Sequence, residues 1–345
     1  MSSLMNTRRR ILVLGATGAM GIYLVPELLK MGYSVDAVSR TIQPSFNEHL
    51  HYIAGNALDE IFINELLTAK YDAIVDFMIY PTEIFNTRSK LFLSNTKHYI
   101  FLSSYRVYGD QQIPITESAP QLYEIVQDDV FLSSDDYALK KSRGESILKT
   151  SGNDNWTIIR PAITYSKHRF QLVTMEGRNF VSRAFSGKPV LIPEEALKKE
   201  ATMTWAGDVA KMISRHILNQ KAYGEAFTVS TSEHHTWETI AEYYADLINL
   251  KVVPVDMETF LQVIQPDPTN LSSRWQLIYD RLYDRIVDNT KILEVTGLVQ
   301  SDFMPLYNGL KQELSALKKD DLTLITGSAI QSELMDNYFF KSKKT

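Results

Sequence analysis

The chain contains no cysteine. Disulfides, thiolate catalysis and cysteine-ligated zinc are therefore excluded. No apolar run approaches the roughly 18 residues needed to span a membrane. The Arg8-Arg9-Arg10 run leads directly into a strand pattern, with no signal-type apolar core behind it, so a cytoplasmic location is expected. An excess of positive charge is missing too. Lys and Arg number 36 against 41 Asp and Glu, a net charge of −5, which argues against a general nucleic-acid surface. Internal repeats and low-complexity segments are absent. Histidine is sparse, and His49/His51 and His234/His235 lack a third ligand at metal-binding spacing, so no metal is expected.

What is present is the composition of an ordinary globular protein, 44% hydrophobic and 22% charged. Its 345 residues suit two domains, or one doubly wound domain with a smaller lobe. The most informative stretch is ILVLGATGAMG, Ile11 to Gly21. Four apolar residues run into glycines at 15, 18 and 21, and a helix-patterned segment, Ile22 to Met31, follows. A continuous apolar run reads as a buried parallel strand. Gly15 allows a sharp turn, Gly18 lets backbone N–H groups approach a pyrophosphate, and Gly21 lets the helix pack closely on the strand. The helix N-terminus offers unpaired N–H groups to phosphate. This reads as a dinucleotide-binding turn, with Thr17, Ala19 and Met20 completing its loop.

Tyr33 to Val38 reads as a second strand, ending at Ser39-Arg40. No carboxylate stands at its tip to accept from an adenosine ribose, whereas an arginine there suits a 2′-phosphate. Ser39 and Arg40 thus point to NADP, with NAD as the alternative. A short third strand, His51 to Ala54, leads into Gly55-Asn56-Ala57, and Asn56 and Ala57 are expected beside the cofactor. Helix Ile61–Leu67, strand Tyr71–Met78, helix Phe85–Asn95 and strand His98–Ser103 continue the alternation of a parallel, doubly wound α/β sheet. Ser103-Ser104 ends the last of these strands, where hydroxyls face the ligand crevice. Tyr137 and Lys141 stand four residues apart in a helical segment, so both can point into one cleft. Trp156 to Arg160 is a further strand, closed by Pro161. Later come a short strand at 188–192, strand 202–205, a helix from Gly207 to about Leu218, strand 225–230, and helix 236–248 with Thr236 as N-cap.

These residues resemble the extended short-chain dehydrogenase/reductase family, in its NAD(P)-dependent nucleotide-sugar epimerase/dehydratase branch. Gly15-x-x-Gly18-x-x-Gly21, the block Ser103 to Gly109 and Tyr137-x-x-x-Lys141 carry the resemblance over roughly residues 10 to 315. Arg160 to Tyr165, Gly207 to Ala210 and Asp288 to Lys291 match further family segments. The resemblance implies Ser104, Tyr137 and Lys141 as catalytic residues, with Lys141 and Pro161 also at the cofactor. It implies Tyr105, Arg106, Tyr165 and Arg178 at the substrate, a nucleotide sugar. Tyr137 would move the hydroxyl proton, and a nearby ammonium would favour its phenolate. It also implies a homodimer, paired through helices near 85–95 and 137–149.

The pattern departs from the family in four places. The 33-residue spacing from Ser104 to Tyr137 is long, with an acidic insert at 123–136 that would shape the substrate mouth. Tyr105-Arg106 stands where sugar 4,6-dehydratases carry acidic residues, which excludes that elimination. Asn56 replaces an aspartate, and Ala201 replaces a phosphate-binding arginine, for which Arg178, Arg183, Arg281 or Arg285 would compensate. The expected division is a dinucleotide domain at 8–165 with returning segments near 202–248, a substrate lobe from 166–201 and 249–316, and an extension at 317–345. The expected function is epimerase or ketoreductase. The alternatives are a non-catalytic ligand- or RNA-binding member of the fold and a reductase of a non-sugar carbonyl compound.

Overall fold

The computed structural model describes residues 8–265, 267–317 and 329–342. Its centre is a seven-stranded parallel sheet. The strands are β1 (Arg10–Leu14), β2 (Ser34–Ser39), β3 (Leu50–Ala54), β4 (Tyr71–Asp76), β5 (Thr96–Leu102), β6 (Trp156–Pro161) and β7 (Glu225–Val229). Their order is β7-β6-β5-β4-β1-β2-β3. Each run is apolar because both faces are covered, and Ile11 to Leu14 have no exposure. The order of the strands reverses between β1 and β4, where Leu14 sits opposite both Val38 and Asp76. A crevice opens at that switch point, beyond the carboxyl ends of the strands.

Helices α1 (Gly21–Lys30), α2 (Glu60–Leu67), α3 (Thr82–Asn95) and α4 (Tyr137–Lys149) flank the sheet. Leu24, Val25 and Leu28 of α1 pack with Val209, Met212 and Ile213 of the helix Ala206–His216 on one face. Phe85, Phe92 and Leu148 pack with Ile74, Tyr99 and Phe101 on the other. Strand β4 stops at Asp76, short of the expected Met78, because the Asp76 carboxylate accepts the Met78 N–H and turns the chain.

The lobe has its own core. Phe180, Leu191, Trp237, Tyr244, Phe260 and Leu310 pack there around a parallel pair, Val190–Pro193 with Val252–Val255. The helix Trp237–Ile248, capped as expected by Thr236, belongs to this core, whereas Ile292, Leu298 and Phe303, expected in the lobe, pack in the core of the sheet with Leu24 and Phe227. The helix Ala329–Ser342 docks on the lobe through Met335, and Asp336 accepts from Arg183 and Lys188. Much of the expected extension, 318–328, lies outside the described residues.

Candidate active site

The turn after β1 forms one wall of a cleft of about 810 Å³. Gly15 has φ +81°, a conformation that L side chains rarely adopt. A Cβ at Gly21 would lie 2.4 Å from the Ala16 carbonyl oxygen, so only glycine lets α1 start this close to the strand. Thr17, Gly18, Ala19 and Met20 line the same wall. Ser39, Arg40, Asn56 and Ala57 line the far end, and Phe77 and Met78 the near one. No carboxylate is among the lining residues. Asp36, the acid on β2, is buried and engaged by Arg10 and the Tyr71 hydroxyl.

Met20 and Phe77 connect the cleft to a second cavity of about 470 Å³. Ser104, Tyr105, Arg106, Tyr137, Pro161 and Arg281 line it. Ser104 follows β5 and caps the short turn Tyr105–Val107, its Oγ accepting the Arg106 N–H at 3.2 Å. The hydroxyl hydrogen is left free to donate. Tyr137 opens α4, capped by Asp136, whose carboxylate accepts the Ala138 N–H. One turn on, Lys141 is buried with its ammonium 5.7 Å from the centre of the Tyr137 ring. That ammonium donates to the Leu102 carbonyl at 2.6 Å and the Met78 carbonyl at 3.4 Å. Burial lowers the Lys141 pKa to about 8, against the opposing pull of Asp76.

Two buried charge clusters flank the trio. Beneath it, Glu145 of α4 takes Arg160 Nε at 2.8 Å and Nη2 at 2.5 Å, Ser103 Oγ at 2.6 Å and Gln121 Nε2 at 3.0 Å. Burial alone would raise this carboxyl, but the Arg160 hydrogen bonds and charge hold it below its ordinary value. Beside it, Asp280 faces three guanidinium groups, those of Arg281, Arg285 at 3.0 Å and Arg106 at 3.3 Å. Burial opposes its ionisation as well, and the three arginines outweigh it. Arg281 also donates to the Tyr105 hydroxyl at 2.7 Å. Burial pushes that phenol up to about 12.

No residue of the insert at 123–136 lines the 470 Å³ cavity; the insert packs instead on the segment that brings Gln276 to it. Phe131 is buried against Trp275 and Tyr279, with ring centres 5.5 and 4.5 Å apart. The Tyr279 hydroxyl donates to Asp128 at 2.9 Å. Asp280 and Arg281 lie on a π-helical turn, Leu277–Arg281, closed by Leu282 N–H to the Leu277 carbonyl.

The remaining expected site residues scatter. Arg178 is exposed on a third cavity of about 490 Å³, which it shares with Ala19, Arg169 and Glu176. Tyr165 is fully buried and lines none of the three cavities, because Gly309 leaves the room its ring fills: a Cβ there would sit 2.0 Å from the Tyr165 hydroxyl. Arg183 holds the helix Ala329–Ser342 instead of a ligand. Arg285 is tied to the Tyr108 and Gly109 carbonyls, and Arg281 is the one of these four arginines that lines the 470 Å³ cavity. Asp76, Glu145 and Asp280 had no motif to announce them. The nearest signal was three acidic residues in otherwise apolar or helical settings.

Known proteins place the chain. The pattern of the NAD dependent epimerase/dehydratase family matches residues 11–230. In sequence, the chain is 24% identical over 252 residues to the chloroplast stem-loop binding protein of 41 kDa b of Arabidopsis thaliana, a stretch covering 69% of this chain and 62% of that protein. In structure, it is similar to the Bordetella bronchiseptica enzyme WbmH, solved with NAD+, at TM-score 0.66, 15% identity and coverage of 89% and 97% of the two chains. It is equally similar to the UDP-glucuronic acid 4-epimerase of Bacillus cereus, at TM-score 0.66, 15% identity and coverage of 91% and 99%. The fold match and the family pattern agree with the glycine turn: the chain belongs to the NAD dependent epimerase/dehydratase family.

Proposed function

We propose that this protein is an NAD(P)-dependent epimerase or ketoreductase acting on a nucleotide-activated sugar, with NADP preferred. The observation that carries the reading is the shared wall. Ser104 and Tyr137 line a cavity that opens through Met20 and Phe77 onto the glycine-turn cleft, with Lys141 buried beneath. The cleft suits a dinucleotide, since its turn excludes side chains where phosphates would approach. Gly15, Thr17, Gly18, Ala19, Met20 and Gly21 would hold the pyrophosphate. Ser39, Arg40, Asn56 and Ala57 would take the adenosine end, and Lys141 and Pro161 the nicotinamide end. The absence of a lining carboxylate and the presence of Arg40 favour a 2′-phosphate.

When bound, the dinucleotide supplies the hydride acceptor and donor. Tyr137 takes the proton from the sugar hydroxyl and returns it in the reverse direction. Ser104, whose Oγ already accepts from Arg106, donates its own hydrogen to the same oxygen and orients it. Lys141 holds positive charge beside the Tyr137 ring.

Denaturing release and mass analysis of the co-purified nucleotide tests the cofactor, and NAD alone would overturn the NADP preference. Absorbance at 340 nm separates the two reactions: an epimerase shows no net change, a reductase consumes NADPH. Tyr137→Phe should lower kcat by roughly 10² to 10⁴, and full turnover in that variant would sink the enzyme reading.

The stem-loop binding relative favours a second reading, an RNA-binding role. Filter binding with a structured RNA, with and without the dinucleotide, tests it. Homodimer pairing through α3 and α4 would be largely polar, since Glu83, Asn86, Lys90, Ser146 and Lys149 face outward. No described helix is long and apolar enough to cross a membrane, and a cytoplasmic location agrees with that.

A further inference from the structure

We infer that the substrate carries a carboxylate beside its reacting carbon, and that Arg106 reads it. The inference rests on the reading of the 470 Å³ cavity as the sugar site.

Arg106 sits between the two groups that fix where the reacting carbon must lie. Its N–H is on Ser104 Oγ, and its guanidinium is 5.3 Å from the centre of the Tyr137 ring. The side chain is 13% exposed and lines the cavity. Its charge contacts are loose, 3.3 Å from Nε to Asp280 and 3.8 Å from Nη2 to Asp136. Neither has hydrogen-bond geometry, and the buried Nε has no hydrogen-bond partner. Arg281 and Arg285 are different. Each hydrogen-bonds the Asp280 carboxylate, and backbone carbonyls take further N–H groups of both.

The charge count agrees. Arg106, Arg281, Arg285 and Arg169 face Asp280, Asp136 and Glu176, four positive charges against three negative, which leaves one positive charge uncompensated. The other acid on the cavity, Glu176, is paired with Arg169 at 3.7 Å and accepts from Gln171. A guanidinium with unmade hydrogen bonds, partly desolvated, is a fork for a planar anion. The phosphates of a nucleotide sugar lie on a different part of the molecule from its reacting carbon. The anion at Arg106 is therefore on the sugar itself, a carboxylate such as that of a uronic acid.

The test measures dissociation constants of UDP-glucuronic acid and UDP-glucose for the dinucleotide-loaded protein, in wild type, Arg106→Gln and Arg106→Lys. Wild type should prefer the acid by roughly ten- to hundredfold, the range for hydrogen bonds to a charged group. The ratio should fall towards one in Arg106→Gln and stay intermediate in Arg106→Lys, which keeps the charge without the fork. Equal affinities in wild type, or a ratio unchanged in Arg106→Gln, would overturn the inference. A second arm uses free glucuronate against glucose, read as the shift in melting temperature. If neither nucleotide sugar binds but glucuronate stabilises wild type and not Arg106→Gln, the nucleotide-sugar reading fails and the carboxylate site stands. If no acid distinguishes wild type from Arg106→Gln in either arm, the carboxylate site fails. Circular dichroism of both variants confirms that they fold.

Discussion

The clusters around Glu145 and Asp280 are built from the same parts and do opposite things. In the first, one guanidinium meets one carboxylate in a two-pronged pair, and Ser103 and Gln121 take further lone pairs. The two buried charges balance, with Lys149 reaching Glu145 from the exposed side at 3.4 Å, and the pair ties α4 to β6 beneath the trio. In the second, three guanidinium groups crowd one carboxylate, and the one left with unmade hydrogen bonds lines the cavity. The lesson is that burial of an ion pair does not announce its role. What separates a brace from a recognition element is whether the charge closes within the protein or is left open to a ligand.

The largest expected effect comes from breaking the brace. Glu145→Ala leaves Arg160 buried without its counter-charge and should cost about 3–5 kcal/mol in urea unfolding. Because α4 carries Tyr137 and Lys141, activity should fall with it. If the loss stays under about 1 kcal/mol, the brace is not what holds α4. Asp280→Asn keeps the shape but leaves three buried guanidinium groups facing one uncharged acceptor, and should cost a similar amount, about 3–5 kcal/mol. Unlike Glu145→Ala, it should also widen the preference for an acidic over a neutral sugar, since it raises the surplus positive charge. An unchanged preference would show the two clusters to be equivalent.

A smaller effect lies in the pH dependence. Glu145 and Asp280 are held below ordinary carboxylate values. Their contribution is complete above about pH 4.5 and is lost as pH falls through their folded values. His98 and His216 are pushed down by burial, to about 3 and about 4. His98 is held neutral between the Leu218 N–H and the Thr157 hydroxyl. Their contribution is complete above about pH 6.5 and is lost as pH falls towards those values. Between pH 6.5 and 4.5 wild type and Glu145→Ala should therefore lose stability in parallel, and below 4.5 the two curves should converge. A gap that closes already at pH 6 would show Glu145 titrating far above its expected range.

The sheet could be read from the chain because its signals are local. Continuous apolar runs such as Ile11 to Leu14 and Tyr99 to Leu102 are what double coverage demands, and the glycines follow the first of them directly. Tyr137 and Lys141 were legible for the same reason, being one helical turn apart. The Asp280 cluster was not. Arg106 reaches it across more than 170 residues, and although Arg281 and Arg285 stand out as candidates for a phosphate, nothing in the sequence marks Asp280 as their shared partner. The π-helical turn is what buries Asp280 and Arg281 together, and no periodicity of 3.6 anticipates it. Tyr165 shows the opposite error. It follows a family-like motif, yet Gly309, 144 residues later, makes it a core residue.

The clasp of the insert on the π-helical segment has a consequence for how the cavity is owned. Ser104, Tyr137 and Lys141 rest on elements of the sheet half, whereas the segment that brings Gln276 to the cavity is held by a joint between Asp128–Phe131 and Trp275–Tyr279. Neither side of that joint lines the glycine-turn cleft. That wall is thus an interchangeable part: its shape and charge can be re-cut at either end of the clasp, while the floor keeps its geometry.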